Sequence, residues 1–394
     1  MENYLVKNLF INPDIKNSTF NSGLTKEELN LVLEEHFERL LIEIKKVQPQ
    51  EAPEILRKGV RTAEAEWITN PKTADDFFFI AYAAQMDKDY DKAIEYYQKT
   101  IELDPDDEVS YNNMGNSYLD GNQNYNKAME CFVEAIRIKP DNASAYYNAG
   151  RLFQEVGDYN KAIACFSQAI DIKPDFIDAY NNMGISYSKV KKYDEAIKCY
   201  EMAIRYKPNF ARAYYNMGQE YQLGKREYYK AIDCYNKALL YEPNYIDAHL
   251  YKGTIYLELK KYDEAIKCFE KEIQNNPDKA EAYYHMGDVY YDKVIYSEAI
   301  KWYEKAIKIK PDYAIAYLNM GSAYYAKKDY EEAIKCFKMT VHYDPDFAMA
   351  YDMMGLAYGN IGNKQQGIVY IKRAAQLGYE PAKQMLRDLG IGLY

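Results

Sequence analysis

The chain has 394 residues, of which 48% are hydrophobic and 28% charged, and its formal net charge is −10. An acidic balance argues against a general nucleic-acid-binding protein, because such a protein needs a basic face for phosphate groups. No run of about 18 apolar residues is present, and the first residues lack the basic start and small-residue cleavage site of a secretion signal, so we expect a cytoplasmic protein without membrane insertion.

The N-terminal part of the chain contains no internal repeat. Residues 1–24 are rich in asparagine and predict an irregular tail. Thr25 followed by Glu28 has the spacing of a capping box and predicts the start of a helix. We therefore expect residues 25–73 to form an N-terminal helical cap. The alternative is a separate docking or autoinhibitory segment.

From residue 74 onward the chain repeats itself every 34 or 35 residues. Within each period, two stretches have apolar residues at helical spacing, and a proline follows the second stretch. One helical hairpin cannot bury both of its faces alone, so the period predicts a stacked array of helix–turn–helix units. The glycines that mark the period are at positions 115, 150, 184, 218, 253, 287, 321 and 355.

Residues at fixed places in the period carry a family resemblance, which is most complete in the fourth unit. That unit has Tyr180, Met183, Gly184, Tyr187, Ala196, Tyr200, Ala203 and Pro208. The pattern resembles the tetratricopeptide repeat. The resemblance implies an all-α, right-handed superhelical solenoid of about nine repeats over residues 74–379, with a C-terminal capping helix in residues 380–394. The repeats are expected to start near residues 74, 108, 143, 177, 211, 246, 280, 314 and 348.

The resemblance also indicates where a partner binds, because the first helices of such repeats line the inside of the superhelix. When the repeat glycine is numbered 8, position 6 holds an asparagine in five repeats and a histidine in the seventh. An asparagine amide offers one acceptor and two donors, so amides in register can bind the backbone of an extended peptide. The row is similar to the asparagine ladder of O-linked N-acetylglucosamine transferases, whose catalytic domain has no counterpart here. The candidate peptide-binding residues are Asn113, Asn148, Asn182, Asn216, His285 and Asn319, with Tyr147, Arg151, Arg212 and Tyr215 beside them.

Most charged residues at the predicted groove positions are acidic, which predicts a neutral or basic partner segment. A ligand with a C-terminal carboxylate is not expected, because Asn216 stands where the family's carboxylate clamp needs an arginine. The expected function is a non-enzymatic protein–protein interaction scaffold. The sequence leaves two alternatives open: a structural subunit that contacts partners through its convex or edge surfaces, and a self-associating scaffold.

No motif predicts an active site, a metal site or a cofactor. The four histidines have neither metal-ligand nor catalytic-triad spacing, and every glycine belongs to a repeat or a turn. The six cysteines occupy one repeat position, where we expect packing rather than disulfides, because equivalent positions in stacked helices are too far apart to be bridged.

Overall fold

The computed structural model describes residues 71–121 and 123–392, and these residues form 19 α-helices and no strand. The prediction of an all-α repeat fold is confirmed. The predicted tail and N-terminal cap lie outside the described residues, apart from residues 71–73. There the Thr73 hydroxyl accepts a hydrogen bond from the Asp76 N–H at 3.1 Å, and the Asp76 carboxylate accepts one from the Thr73 N–H at 2.9 Å. This reciprocal pair caps the first helix.

Each repeat contributes an A helix and a B helix joined by a short turn. The A helices are α1 (Ala74–Met86), α3 (Glu108–Asp120), α5 (Ala143–Glu155), α7 (Ile177–Lys189), α9 (Ala211–Gln219), α11 (Ala248–Glu258), α13 (Ala280–Asp292), α15 (Ala314–Ala326) and α17 (Ala348–Asn360). The B helices are α2 (Tyr90–Leu103), α4 (Tyr125–Ile138), α6 (Tyr159–Ile172), α8 (Tyr193–Tyr206), α10 (Tyr228–Tyr241), α12 (Tyr262–Asn275), α14 (Tyr296–Ile309), α16 (Tyr330–Tyr343) and α18 (Lys364–Gln376). Helix α19 (Glu380–Asp388) follows the ninth repeat.

The chain divides into two compact units, Met1–Lys192 and Tyr193–Tyr394. The described part of the first unit holds helices α1 to α7, and the second unit holds helices α8 to α19. Each unit has its own set of buried residues between consecutive helices.

The repeat glycine allows an aromatic ring of the B helix to reach the A-helix backbone. A Cβ atom on Gly150 would lie 2.6 Å from Cε1 of Phe166, whose side chain is completely buried. Glycine inside a helix costs about 1 kcal/mol relative to alanine. The close packing of the ring offsets this cost, which explains why eight of the nine A helices keep a glycine.

The B helices differ in how their first turns are capped. An Asp or Asn side chain accepts a backbone N–H in repeats 1, 2, 3, 8 and 9. In repeats 5, 6 and 7 the same place holds Glu227, Lys261 and Ile295, and none of these side chains caps its helix. Loss of such a cap typically costs about 1 kcal/mol.

Repeat 5 contains one residue more than most repeats, and the sequence predicts that it lies in the A–B turn around Gly224. In the structure the extra residue is absorbed at the end of the A helix instead, where Glu220–Gly224 form a π-helical turn. A π-turn accommodates one inserted residue by widening the helix rather than lengthening the loop.

Repeat 6 differs from the other repeats in its backbone at the start of its A helix. Asp247 has φ +64°, in the left-handed region, and its side chain does not cap α11. The carboxyl group of Glu272, which is 1% exposed, accepts hydrogen bonds from the Leu250 backbone and, at 2.7 Å, from Asn276 Nδ2. A buried side chain of the B helix therefore satisfies a backbone donor in the first turn of α11.

Candidate functional site

In the first unit, the position-6 asparagines link consecutive repeats. Asn182 Nδ2 donates to the Tyr147 hydroxyl at 3.0 Å, and Asn148 Nδ2 donates to Asn112 Oδ1 at 2.9 Å. Asn113 Oδ1 accepts from the neighbouring Asn112 Nδ2 at 3.4 Å. The amides are therefore held in fixed orientations by contacts between A helices.

These asparagines differ in their exposure to solvent. Asn148 is only 6% exposed, whereas Asn113 and Asn182 are half-buried. Asn182 Oδ1 accepts from Asn181 Nδ2 at 3.3 Å, and Asn182 uses one of its two N–H donors on Tyr147. Among the described residues, one N–H of Asn182 is thus left for a ligand.

Arg151 pairs with an acid of the preceding repeat. Its Nη2 atom lies 2.8 Å from Asp120 Oδ1, and its Nη1 atom lies 3.5 Å from Asn116 Oδ1. The two charged side chains are 32% and 38% exposed, so solvent screening keeps the pair's contribution to stability small. On the surface, this pair neutralises Asp120, one of the acidic residues on the A helices.

In the second unit, an equivalent hydrogen bond between an asparagine and a tyrosine belongs to a group of polar side chains around the Asp288 carboxylate. Asn319 Nδ2 donates to the Tyr284 hydroxyl at 2.9 Å and to Asp288 Oδ1 at 3.0 Å. The Tyr303 hydroxyl also donates to Asp288 Oδ1, at 2.8 Å, and His285 Nδ1 lies 3.2 Å from Asp288 Oδ2. Burial and the nearby Asp288 charge raise the pKa of Tyr284, so this phenol keeps its proton.

Repeat 5 positions the remaining predicted residues on α9. Tyr215 is half-buried, its ring centroid lies 4.9 Å from that of Tyr245, and burial raises its pKa. Gln219 Nε2 donates to the Tyr215 hydroxyl at 3.0 Å. Arg212 is exposed and hydrogen-bonds to Tyr245, while Asn216 is half-buried. Helix α9 thus places a guanidinium and a phenol near one amide of the row.

Three polar residues that support the position-6 asparagines were not among the predicted binding residues. Asn112 and Asn181 are buried at position 5, and each donates to the asparagine that follows it. Gln154 Nε2 donates to the Asn182 carbonyl at 2.9 Å and to Ser186 Oγ at 2.8 Å. The doubled asparagine in the YNNMG segments is the sequence signal that could have revealed the first two.

The A helices of repeats 7–9 carry only acidic charge. Helices α13, α15 and α17 contain Glu281, Asp288, Asp292 and Asp352, and no lysine or arginine. Desolvation, followed by the Asp288 charge, raises the pKa of Asp292, and burial raises the pKa of Asp352. A positive group from a ligand would therefore be stabilised on this part of the row.

Other kinds of site find little support within residues 71–121 and 123–392. No three His, Cys, Asp or Glu side chains there are grouped so that they could hold a metal ion. None of the helices described is both long and apolar enough to cross a bilayer. Burial raises the pKa of Cys131 to about 12, so its thiol remains protonated at neutral pH.

Repeat-family models match the chain from residue 74 to residue 379. Models described as tetratricopeptide repeats match residues 74–107, 96–130, 177–210, 211–245, 234–267 and 314–347. A model described as a TPR repeat matches residues 122–157, 150–191, 253–294 and 296–328, and a Sel1 repeat model matches residues 348–379. No curated protein matches the chain.

Several solved structures are similar to parts of the chain. A crystal structure of MamA is 30% identical over 42% of this chain and 95% of MamA, with a TM-score of 0.39. YrrB, described as a TPR protein with an unusual peptide-binding site, is 25% identical over 47% of this chain and 95% of its own, with a TM-score of 0.40. A tetratricopeptide repeat protein from Parabacteroides merdae is 19% identical over 64% of this chain and 98% of its own, with a TM-score of 0.49. Because tetratricopeptide repeat models match more than half of its length, the chain belongs to the tetratricopeptide repeat family.

Proposed function

We propose that this protein is a non-enzymatic scaffold that binds an extended, neutral to basic segment of a partner protein along its A helices. Repeats of this family support protein–protein interaction. The observation that carries the proposal is one hydrogen bond that recurs in both units. Asn182 is bonded to Tyr147 in the first unit, and Asn319 is bonded to Tyr284 in the second.

The recurring bond supports binding because it orients the amides before a ligand arrives. Ordering a free side chain at an interface costs roughly 0.5–1.5 kcal/mol. The bond to the preceding repeat fixes the Asn182 amide in advance, so little of this cost remains. Its leftover N–H donor suits a peptide carbonyl, a group that every residue of an extended segment presents.

The charge on the A helices favours a neutral or basic segment. Asp288 and Asp292 lie one turn apart on α13, and no basic residue of α13, α15 or α17 compensates them. Lys260 lies near Asp292 but forms no ion pair with it, so a lysine or arginine of the partner would supply a cation that pairs directly with these acids. Met349 and Met353 on α17 offer an apolar contact in the same unit, and Met349 is 42% exposed. Flexible methionines suit an anchor of variable shape.

The test uses peptides selected from a random library on the wild-type chain. Their affinities are then measured for N182A and N319A, with N160A as the control, because Asn160 is an exposed asparagine of the B helix α6. We expect roughly tenfold weaker binding to N182A or N319A, the effect of about 1.4 kcal/mol, and unchanged binding to N160A. Equal affinities for all three variants would refute the proposal.

A further variant separates orientation from direct contact. Y147F removes the hydroxyl that Asn182 bonds but leaves the asparagine in place. We expect Y147F to weaken binding less than N182A does, because the amide that contacts the ligand remains. Thermal unfolding of each variant controls for stability, since loss of one such hydrogen bond costs about 1 kcal/mol.

A further inference from the structure

The A–B turns of repeats 5–7 differ from the other turns of the second unit. We use the name turn edge for Arg226, Tyr229, Lys260, Lys261, Val294 and Ile295, which lie in or directly after these turns. The turn edge lies in the turns that close each hairpin, whereas the candidate peptide-binding residues lie on the A helices.

Val294 has an unfavourable backbone conformation for its residue type. Its φ is +61°, and its side chain is 65% exposed. The equivalent turn residue is a glycine in repeat 9 (Gly362) and a lysine in repeat 8 (Lys328). The left-handed region is unfavourable for an L-residue, and a β-branched residue is the least suited to it. Val294 is exposed, so packing of its side chain does not offset this cost.

The next residue, Ile295, occupies the N-cap position of α14 but cannot cap the helix. It is 42% exposed and has no side-chain oxygen to accept a backbone N–H. The turns of repeats 8 and 9 keep capping residues, Asp329 and Asn363. Repeats 5 and 6 also lack a side-chain cap, so three consecutive turns of this unit lack the stabilisation that such a cap provides.

Tyr229 is the third exposed apolar residue of the turn edge. It is the second residue of α10, it is 67% exposed, and every other B helix has a polar residue at this place. Lys261 Nζ lies 5.3 Å from the centroid of the Tyr229 ring, which connects the turns of repeats 5 and 6. Lys293 Nζ lies 3.3 Å from Asp263 Oδ1, which connects repeats 6 and 7. The turn of repeat 6, which carries Lys260 and Lys261, therefore lies between the exposed apolar side chains of repeats 5 and 7.

The charges that remain available on the turn edge are positive. Three nearby acids are engaged: Asp194 by Lys225, Glu227 by Lys230 at 2.5 Å, and Asp263 by Lys293, whereas exposed Glu264 on α12 forms no ion pair with the described residues. By contrast, Arg226, Lys260 and Lys261 form no ion pair with the residues that the structure describes. Lys260 lies close enough to Asp292 to lower the pKa of that acid, but the two form no direct ion pair.

We propose that the turn edge is a second docking surface, and that its partner is a protein segment in which acidic residues flank aromatic or aliphatic side chains. Exposed Tyr229, Val294 and Ile295 supply apolar contact area, and the three unpaired cations supply complementary charge. A surface kept for binding also explains why these turns retain residues that weaken the fold. The proposal does not depend on the A-helix site.

The experiment selects peptides from a random library on the full chain carrying N182A and N319A. These two substitutions suppress peptides that bind the position-6 asparagines of the A helices. We expect the recovered peptides to be enriched in Asp and Glu next to Leu, Phe or Trp. Their affinity should fall at least about tenfold for K260E/K261E, and the effect should shrink as salt is added. The matched control is K327E/K328E, which places the same charge change in the capped turn of repeat 8.

A second variant separates binding from folding. V294G/I295D gives repeat 7 the Gly-Asp turn found at Gly157-Asp158. We expect it to melt roughly 1–3 °C higher than the wild type, the size of shift expected for a chain of 394 residues, because glycine suits the left-handed backbone and aspartate caps α14. The same variant should lose affinity for the selected peptides.

Three results would overturn the proposal. The recovered peptides could lack acidic enrichment, or they could bind the edge variants and the wild type equally. Finally, sedimentation could show that the chain self-associates and that K260E/K261E abolishes this association, which would make the turn edge an interface between copies.

Discussion

Two glycines of one helix should respond in opposite ways to alanine substitution. Gly355 and Gly359 lie one turn apart on α17. A Cβ atom on Gly355 would lie 2.6 Å from Ile371 Cγ1 and 2.8 Å from the backbone oxygen of Gly367. A Cβ atom on Gly359 would meet nothing within 4 Å. The pair therefore separates helix propensity from packing within one sequence context.

The magnitudes follow from these contacts. Replacing glycine with alanine in the middle of a helix contributes about 0.5–1 kcal/mol through propensity, and G359A should gain part of this because Gly359 is the penultimate residue of α17. G355A gains the full amount, but overpacking against α18 typically costs 1–3 kcal/mol. The backbone oxygen of Gly367 can yield only if the two helices move apart. We expect G355A to lose about 1–2 kcal/mol of unfolding free energy, after its propensity gain is subtracted.

Urea unfolding followed by far-ultraviolet circular dichroism measures both variants against the wild type. G359A should shift the midpoint upward and G355A should shift it downward, with an unchanged slope in each case. If G355A were as stable as G359A, the close approach of α17 to α18 would not be the reason for the glycine.

Two further predictions concern buried titratable groups. Burial is the main cause of the raised pKa of Glu272, so the folded state binds the Glu272 proton more tightly than the unfolded state does. The wild type should therefore gain stability relative to E272Q as the pH falls from neutral toward the folded-state pKa. A difference in urea midpoint that does not change with pH would contradict this. Burial raises the pKa of four thiols to about 12, those of Cys131, Cys199, Cys234 and Cys336. Iodoacetamide should therefore alkylate these thiols slowly in the folded chain at mildly alkaline pH and rapidly in urea. Rapid labelling of the folded chain would contradict this prediction.

The repeat architecture could be predicted because its determinants are local. The ring of Phe166 meets Gly150 within one hairpin, and the same pair of residue types recurs at the same spacing along the chain. Helical periodicity and turn residues then locate both helices of each repeat. The same local reasoning fails where an irregular backbone satisfies its hydrogen bonds through a distant residue. Asp247 and Glu272 in repeat 6 are the clearest case.

The candidate site could be predicted only in part, because its residues contact other repeats. The position-6 row was visible in the sequence, but the burial of Asn148 depends on Asn112, which lies in the preceding repeat. The convergence of Tyr303 and Asn319 on Asp288 likewise joins two repeats. Such contacts depend on how adjacent hairpins stack, which the period alone does not specify.

The most direct test of the central claim is whether the asparagine row recognises the backbone of its ligand. A peptide selected on the wild-type chain is resynthesised with single amide-to-ester replacements, which remove an N–H and weaken a carbonyl acceptor while keeping every side chain. If Asn182 bonds the peptide backbone, at least one ester should weaken binding to the wild type by about 0.5–1.5 kcal/mol and have little effect on N182A. Equal losses for the wild type and N182A at every ester would contradict backbone recognition by this residue.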